Sequence, residues 1–281
     1  MLKIFINSMP KSGTHLLARA VEIFGYKEYF KNEGYVKGTP RFFNHREVKA
    51  AIEKREDKNT TGLKINVGAL TPLFINASVL MRWIDMMPDH RYILGHIPWT
   101  PLLPPMLAES HCRHLFIIRD PRAVVASQLP FILNTGKMPA SHFLKKDFQD
   151  MSQEDQLDFI LNGGHAKKAG VRIKSFAEVY RSMLLWRDEP DTLFIRFEDL
   201  IGEKGGGSHE KQKNVVKRIA SHLGKKPGEI KEAELKKIYD STSRTFSTGK
   251  INGWKSSMNK KQLAILCDHC KPLCKEAGYE E

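Results

Sequence analysis

The 281-residue chain lacks several things, and each absence narrows what it can be. No stretch approaches the roughly 18 uninterrupted apolar residues of a membrane span, so a membrane partner is not expected. The opening, MLKIFINSMPKSGTH, has an apolar run of only a few residues and no small-residue cleavage site after it. It reads as a strand, not an export signal, and the expected location is the cytoplasm. Cysteine is scarce: only Cys112, Cys267, Cys270 and Cys274 occur, which excludes a disulfide scaffold and predicts reduced thiols. There is no internal repeat and no low-complexity linker. Acidic residues are short of basic ones, 32 against 45, giving a net charge of +13. That excess favours an anionic partner but cannot choose between nucleotide, nucleic acid, a sulfated or phosphorylated molecule and a membrane surface.

What is present is alternation. Short apolar runs at Lys3–Ile6, Leu63–Ile65, Tyr92–Leu94, Leu115–Ile118 and Leu193–Phe197 read as strands buried on both faces. Helical patterns at Leu16–Phe24, Pro121–Leu133, Ile173–Arg187, Lys211–Leu223 and Gln262–Ala277 lie between or after them. The expectation is an α/β fold, a doubly wound parallel sheet flanked by helices, as one domain over residues 1–281. Ligands in such sheets bind beyond the carboxyl ends of the strands. Ser152 with Asp155 predicts a capped helix ending near Gly163-Gly164.

Two strand ends carry the chemistry. The first strand runs into Pro10-Lys11-Ser12-Gly13-Thr14-His15 and then a helix. Amides at a helix N-terminus form an anion site, Gly13 allows close approach, Lys11 adds charge, and Ser12 and Thr14 add hydroxyls. This is not a Walker A loop, because the lysine precedes Ser-Gly-Thr. The second is Arg119-Asp120-Pro121, where a strand ends at an arginine able to fork onto a phosphate, Asp120 caps and Pro121 opens a helix. Ser127 lies two turns further on. Cys267, Cys270 and Cys274 recur on one helix face, which predicts core packing and not a metal site; no metal is expected.

Together these segments resemble the sulfotransferases that use 3′-phosphoadenosine 5′-phosphosulfate (PAPS). That family's first motif, Pro-Lys-Ser-Gly-Thr, holds the 5′-phosphosulfate, and its strand-end Arg with a Ser eight residues later holds the 3′-phosphate. Further matches are Gly95-His96-Ile97-Pro98, Arg196-Phe197-Glu198-Asp199-Leu200, the segment Phe246 to Lys255, and the end Ala277-Gly278-Tyr279. The resemblance spans nearly the whole chain and implies a P-loop-like sulfotransferase fold. It implies His96 as general base and Lys11 on the leaving phosphate. It implies Lys11, Ser12, Gly13, Thr14, His15, Arg119, Ser127, Phe197, Phe246, Ser247, Thr248 and Gly249 around the cofactor PAPS or its product PAP. Leu16, where a Trp often stacks on adenine, and Ser247-Thr248, where an Arg-Lys pair is usual, depart from the pattern, as does Leu94 where a Lys is frequent. The family's C-terminal dimer signature is not recognisable.

The expected activity is sulfuryl transfer to a hydroxyl or amine of a small-molecule acceptor, of natural-product type, with Trp83, Trp99, Phe131 and residues 135–170 as acceptor wall. Nucleic acid is not expected as a partner. The alternatives are a nucleotide-dependent phosphotransferase and a non-enzymatic PAPS-binding or nucleic-acid-binding protein.

Overall fold

The computed structural model describes residues 2–54, 62–133, 142–226, 230–239 and 249–279. The strands are β1 Lys3–Ser8, β2 Lys27–Glu28, β3 Phe42–Phe43, β4 Lys64–Asn66, β5 Phe74–Asn76 and β6 Arg91–Gly95. They continue with β7 Cys112–Ile118, β8 Gly164–Ala166, β9 Val171–Ile173 and β10 Thr192–Arg196. The helices are α1 Thr14–Glu22, α2 His45–Glu53, α3 Ala77–Asp85, α4 Leu103–Glu109, α5 Pro121–Leu133 and α6 Lys145–Gln149. After these come α7 Gln153–Asn162, α8 Phe176–Leu184, α9 Phe197–Leu200, α10 His209–His222, α11 Glu232–Ile238 and α12 Lys260–Ala277.

The main sheet has the order β10-β7-β1-β6-β2, with β3 also on β6, and every pairing in it is parallel. Alternation within each strand divides the core in two. Phe5, Ile93 and Phe116 face one side, against residues of α3, α5, α8 and α12. Ile4, Ile6, Leu94 and Ile117 face the other, against α1, α10 and α11. Both faces are thus covered, as a parallel sheet requires. The chain leaves β1 and β7 in neighbouring positions to enter α1 and α5, so the ends of β1, β6, β7 and β10 converge on one edge.

Four of the five expected strands lie in this sheet. The run Leu63–Ile65 does not: it becomes Lys64–Asn66 and pairs antiparallel with Phe74–Asn76 in a separate two-stranded ribbon. Its sequence alternates, with Ile65 buried and Lys64 exposed, which suits a one-sided ribbon. The start of the expected helix 173–187 is the second strand of another ribbon, Gly164–Ala166 with Val171–Ile173, and the helix begins at Phe176 behind a Ser175–Glu178 capping box. Ser152 caps α7 through the amide of Asp155, 3.1 Å away, and that helix stops at Gly163. Cys270 and Cys274 are buried in the core beneath α12, and Cys267 packs at its margin. No helix of the described residues is long and apolar enough to cross a membrane.

Candidate active site

After Ser8 the chain turns sharply into α1. Lys11 and Gly13 both take left-handed backbone conformations, φ 69° and 101°. A side chain at position 13 would also meet the Phe197 ring, whose Cδ2 lies 2.7 Å from where a Cβ would stand. Only glycine fits both constraints. Gly13 is the N-cap of α1 and supplies no side-chain cap, so the first-turn amides and the positive end of the helix dipole remain for a ligand. Thr14 lines the adjoining cavity, and its Oγ1 lies 2.6 Å from Ser8 Oγ. Ser12 stands behind this wall, fully buried, with its N–H donated to Met9 O at 3.1 Å and its Oγ without a partner among the described residues.

Lys11 extends over the face of Phe131, 4.0 Å from the ring centre. Burial, and then the nearby Arg119 guanidinium, pull its pKa down to about 8. Arg119 leaves the end of β7 almost fully buried. Its Nη1 donates to Lys11 O at 3.4 Å and its Nη2 to Lys250 O at 3.3 Å, while its Nε has no partner among the described residues. The carboxylates around it are engaged elsewhere. Asp120 caps α5 and is gripped by Arg122, 2.9 Å away; Glu198 accepts from the Asp120 amide at 3.0 Å and the Tyr279 hydroxyl at 2.9 Å. Arg119 therefore has no carboxylate within ion-pair distance among the described residues. A guanidinium buried on the Phe197 ring with only weak backbone acceptors for its N–H groups is costly, and an anionic ligand would offset that cost. Ser127, two turns along α5, lines the same cavity, as do Phe197 and Gly249. Phe246, Ser247 and Thr248 lie outside the described residues.

His96 follows β6 directly. Its Nδ1 lies 2.7 Å from Ser8 O, and a carbonyl can only accept, so Nδ1 carries the hydrogen. The neutral ring then presents Nε2 as its acceptor. Burial pulls the His96 pKa down to about 4, against the opposing pull of the Ser8 carbonyl, so the ring is neutral at ordinary pH. Asn7 fixes its height: the carboxamide accepts from Ile97 N–H at 2.9 Å and donates to Ile97 O at 2.9 Å. His15, in the first turn of α1, lines the cavity too; burial and then Lys31, Lys11 and Arg19 hold it at about 4.

These groups share one cavity of about 1400 Å³. Lys11, Gly13, Thr14, His15, His96, Arg119, Ser127, Phe197 and Gly249 all line it, as do Leu16 and Tyr239. The expected acceptor wall is corrected in two places. Trp83 is buried in the core against Phe43, and Trp99 is tied to Glu189 at 3.2 Å; neither reaches the cavity. Phe131 does, together with Phe42, which packs on His96 at 4.7 Å, and with His142, which stands edge-on to Phe131 at 5.5 Å. His142 falls within the expected 135–170 stretch, which did not single it out, and burial and then Lys11 pull its pKa down to about 4. Asn7 was detectable as the polar residue closing an apolar run. Among the described residues no group of histidine, cysteine and carboxylate side chains is arranged to hold a metal ion.

The family profile described as a sulfotransferase domain matches residues 2–278. Among solved structures, a mouse sulfotransferase, SULT7A1, complexed with PAP is similar, with a TM-score of 0.54 and 17% identity. The match covers 98% of this chain and 85% of that one. A retinol dehydratase in complex with androsterone and inactive cofactor PAP gives a TM-score of 0.48 at 15% identity, covering 99% of this chain and 82% of that one. A search of curated proteins finds no match.

Proposed function

The chain belongs to the sulfotransferase domain family, and on that premise we propose that it moves a sulfuryl group from PAPS to a hydroxyl or amine of a small-molecule acceptor. The observation that carries this reading is Arg119, a buried cation with no carboxylate within ion-pair distance among the described residues, set beside Lys11 and a helix start without a side-chain cap, on the cavity that His96 also lines. The orphaned Nε of Arg119 fits a bound phosphate.

PAPS, when bound, supplies a sulfuryl group on a phosphate leaving group. Lys11, Thr14 and the first-turn amides of α1 would hold its 5′ end; Arg119 and Ser127 would hold the 3′-phosphate, in the cavity that Phe197 and Gly249 also line. His96 takes the acceptor proton on Nε2 while its Nδ1–H stays on Ser8 O. Lys11 and the α1 amides are preorganised donors that stabilise charge building on the leaving oxygen, usually the largest catalytic effect. The cavity is larger than the roughly 300–1,000 Å³ of a single small-ligand site, which leaves room for an acceptor next to the cofactor. Phosphotransfer has less support. The carboxylates lining the described wall, Glu22, Glu28 and Glu47, are each paired with a neighbouring Arg19, Lys31 and Arg41.

Incubation with sulfur-labelled PAPS and a panel of alcohols, phenols, amines and glycosides tests the assignment. Label transferred to a small molecule supports it. A protein that binds PAP yet transfers to none of them contradicts the acceptor class.

A further inference from the structure

The hydroxyl of Ser8 has no role in the site described above, yet it touches both halves of it. Ser8 closes β1 with no exposed surface. Its Oγ lies 2.6 Å from Thr14 Oγ1, on the anion loop, and 3.3 Å from His96 Nδ1. The directions of these bonds follow from the inventory of donors and acceptors. Nδ1 carries a hydrogen because its nearer partner is the Ser8 carbonyl at 2.7 Å. Ser8 Oγ is then a second, weaker acceptor of that hydrogen. Its own hydrogen has one acceptor in reach among the described residues, Thr14 Oγ1. Thr14 accepts it and keeps its own hydrogen to give, on the cavity wall beside Lys11. The donors point one way, from His96 to the anion loop.

We propose that Ser8 is a positioning residue that couples occupancy of the anion loop to the orientation and basicity of His96; the proposal rests on the reading of His96 as the base. An anion accepting from Thr14 polarises the two hydroxyls in turn, since hydrogen bonds in a buried chain strengthen one another. Ser8 Oγ becomes a better acceptor, the bond at Nδ1 tightens, and Nε2 holds a proton more firmly. No proton travels along the chain: the proton lost by the acceptor goes to Nε2 and stays there. Among the described residues, the ring's other neighbours include the Gly95 carbonyl, Phe42 from β3 and His15 from α1, which stays neutral near pH 7 and adds no competing charge there. The Ser8 hydroxyl thus joins ring and loop by hydrogen bonds.

The test needs no variant at first. Nitrogen-15 histidine NMR of the wild-type protein should show the Nδ1–H tautomer of His96, and saturating PAP should move its Nδ1 proton downfield. An unmoved resonance overturns the proposal. In Ser8→Ala the tautomer should persist, because the carbonyl remains, but the response to PAP should vanish. Its kcat should fall about tenfold, the worth of one hydrogen bond, with acceptor KM and PAP affinity within about twofold. The acidic limb of its pH profile should move to lower pH, and Ser8→Thr should restore the response. A Ser8→Ala enzyme with normal kcat and an intact PAP response overturns the Ser8 role alone. A fully active His96→Ala enzyme instead removes the base assignment on which it rests.

Discussion

The guanidinium of Arg119 lies 4.2 Å above the ring of Phe197, so a residue from the end of β7 is seated on the residue that follows β10. The same ring closes against Gly13, which joins three strand ends in one contact. Arg119→Ala should weaken PAP binding by roughly 10- to 150-fold, the loss of about 1.5–3 kcal/mol expected for hydrogen bonds to a charged group. ADP, without a 3′-phosphate, should be little affected. Calorimetry on the variant with both ligands checks this.

Lys11 predicts a pH dependence. With its pKa lowered to about 8, the ammonium is charged below that pH and neutral above it. A bound anion favours the charged form. PAP affinity should therefore hold steady from pH 6 to 7 and fall as the pH rises through about 8, with proton uptake on binding in that upper range. Titrations in buffers of different ionisation enthalpy measure the uptake. A flat profile to pH 9 would speak against Lys11 as the ligand's cation.

His96→Ala should lower turnover by about 10²–10⁴-fold, the usual contribution of a general base, while PAP affinity stays within about twofold. Because burial holds the imidazole near 4, the wild-type rate should not lose an essential base between pH 8 and pH 5. Turnover against pH, with a saturating acceptor, tests both statements.

Glu198 bridges the Asp120 amide and the Tyr279 hydroxyl, and Tyr180 donates to Arg119 O at 3.0 Å. These bonds pin the turn that carries Arg119 to the C-terminal end of the fold. Tyr279→Phe leaves one partly buried carboxylate oxygen without its donor and should destabilise the protein by about 1–3 kcal/mol. Urea unfolding should show a lower midpoint with an unchanged slope.

Much of this architecture was legible in the sequence because buried parallel strands announce themselves as apolar runs. Lys3–Ile6, Tyr92–Leu94, Leu115–Ile118 and Leu193–Phe197 all lie in the main sheet. The loop after β1 stood out because an anion site, the role proposed for Lys11 to Thr14, needs particular residues next to one another. Leu63–Ile65 misled because a three-residue run does not distinguish a buried strand from a ribbon exposed on one side. The two-residue strands Lys27–Glu28 and Phe42–Phe43 are set by pairing with β6, not by any periodicity of their own. The Asn7–Ile97 clamp and the Glu198–Tyr279 bond join residues 90 and 81 positions apart, and no local pattern encodes such a partner. Trp83 was misplaced for the opposite reason: a large aromatic suits a core as well as a ligand wall.

The central claim is that the buried arginine and the loop of β1 form one site for a 3′-phosphorylated nucleotide. Calorimetric titration of the wild-type protein with PAP, run beside ADP and ATP, tests it most directly. The account predicts clear preference for PAP, lost in Arg119→Ala. Equal affinity for ADP and PAP, or no binding of either, would contradict it.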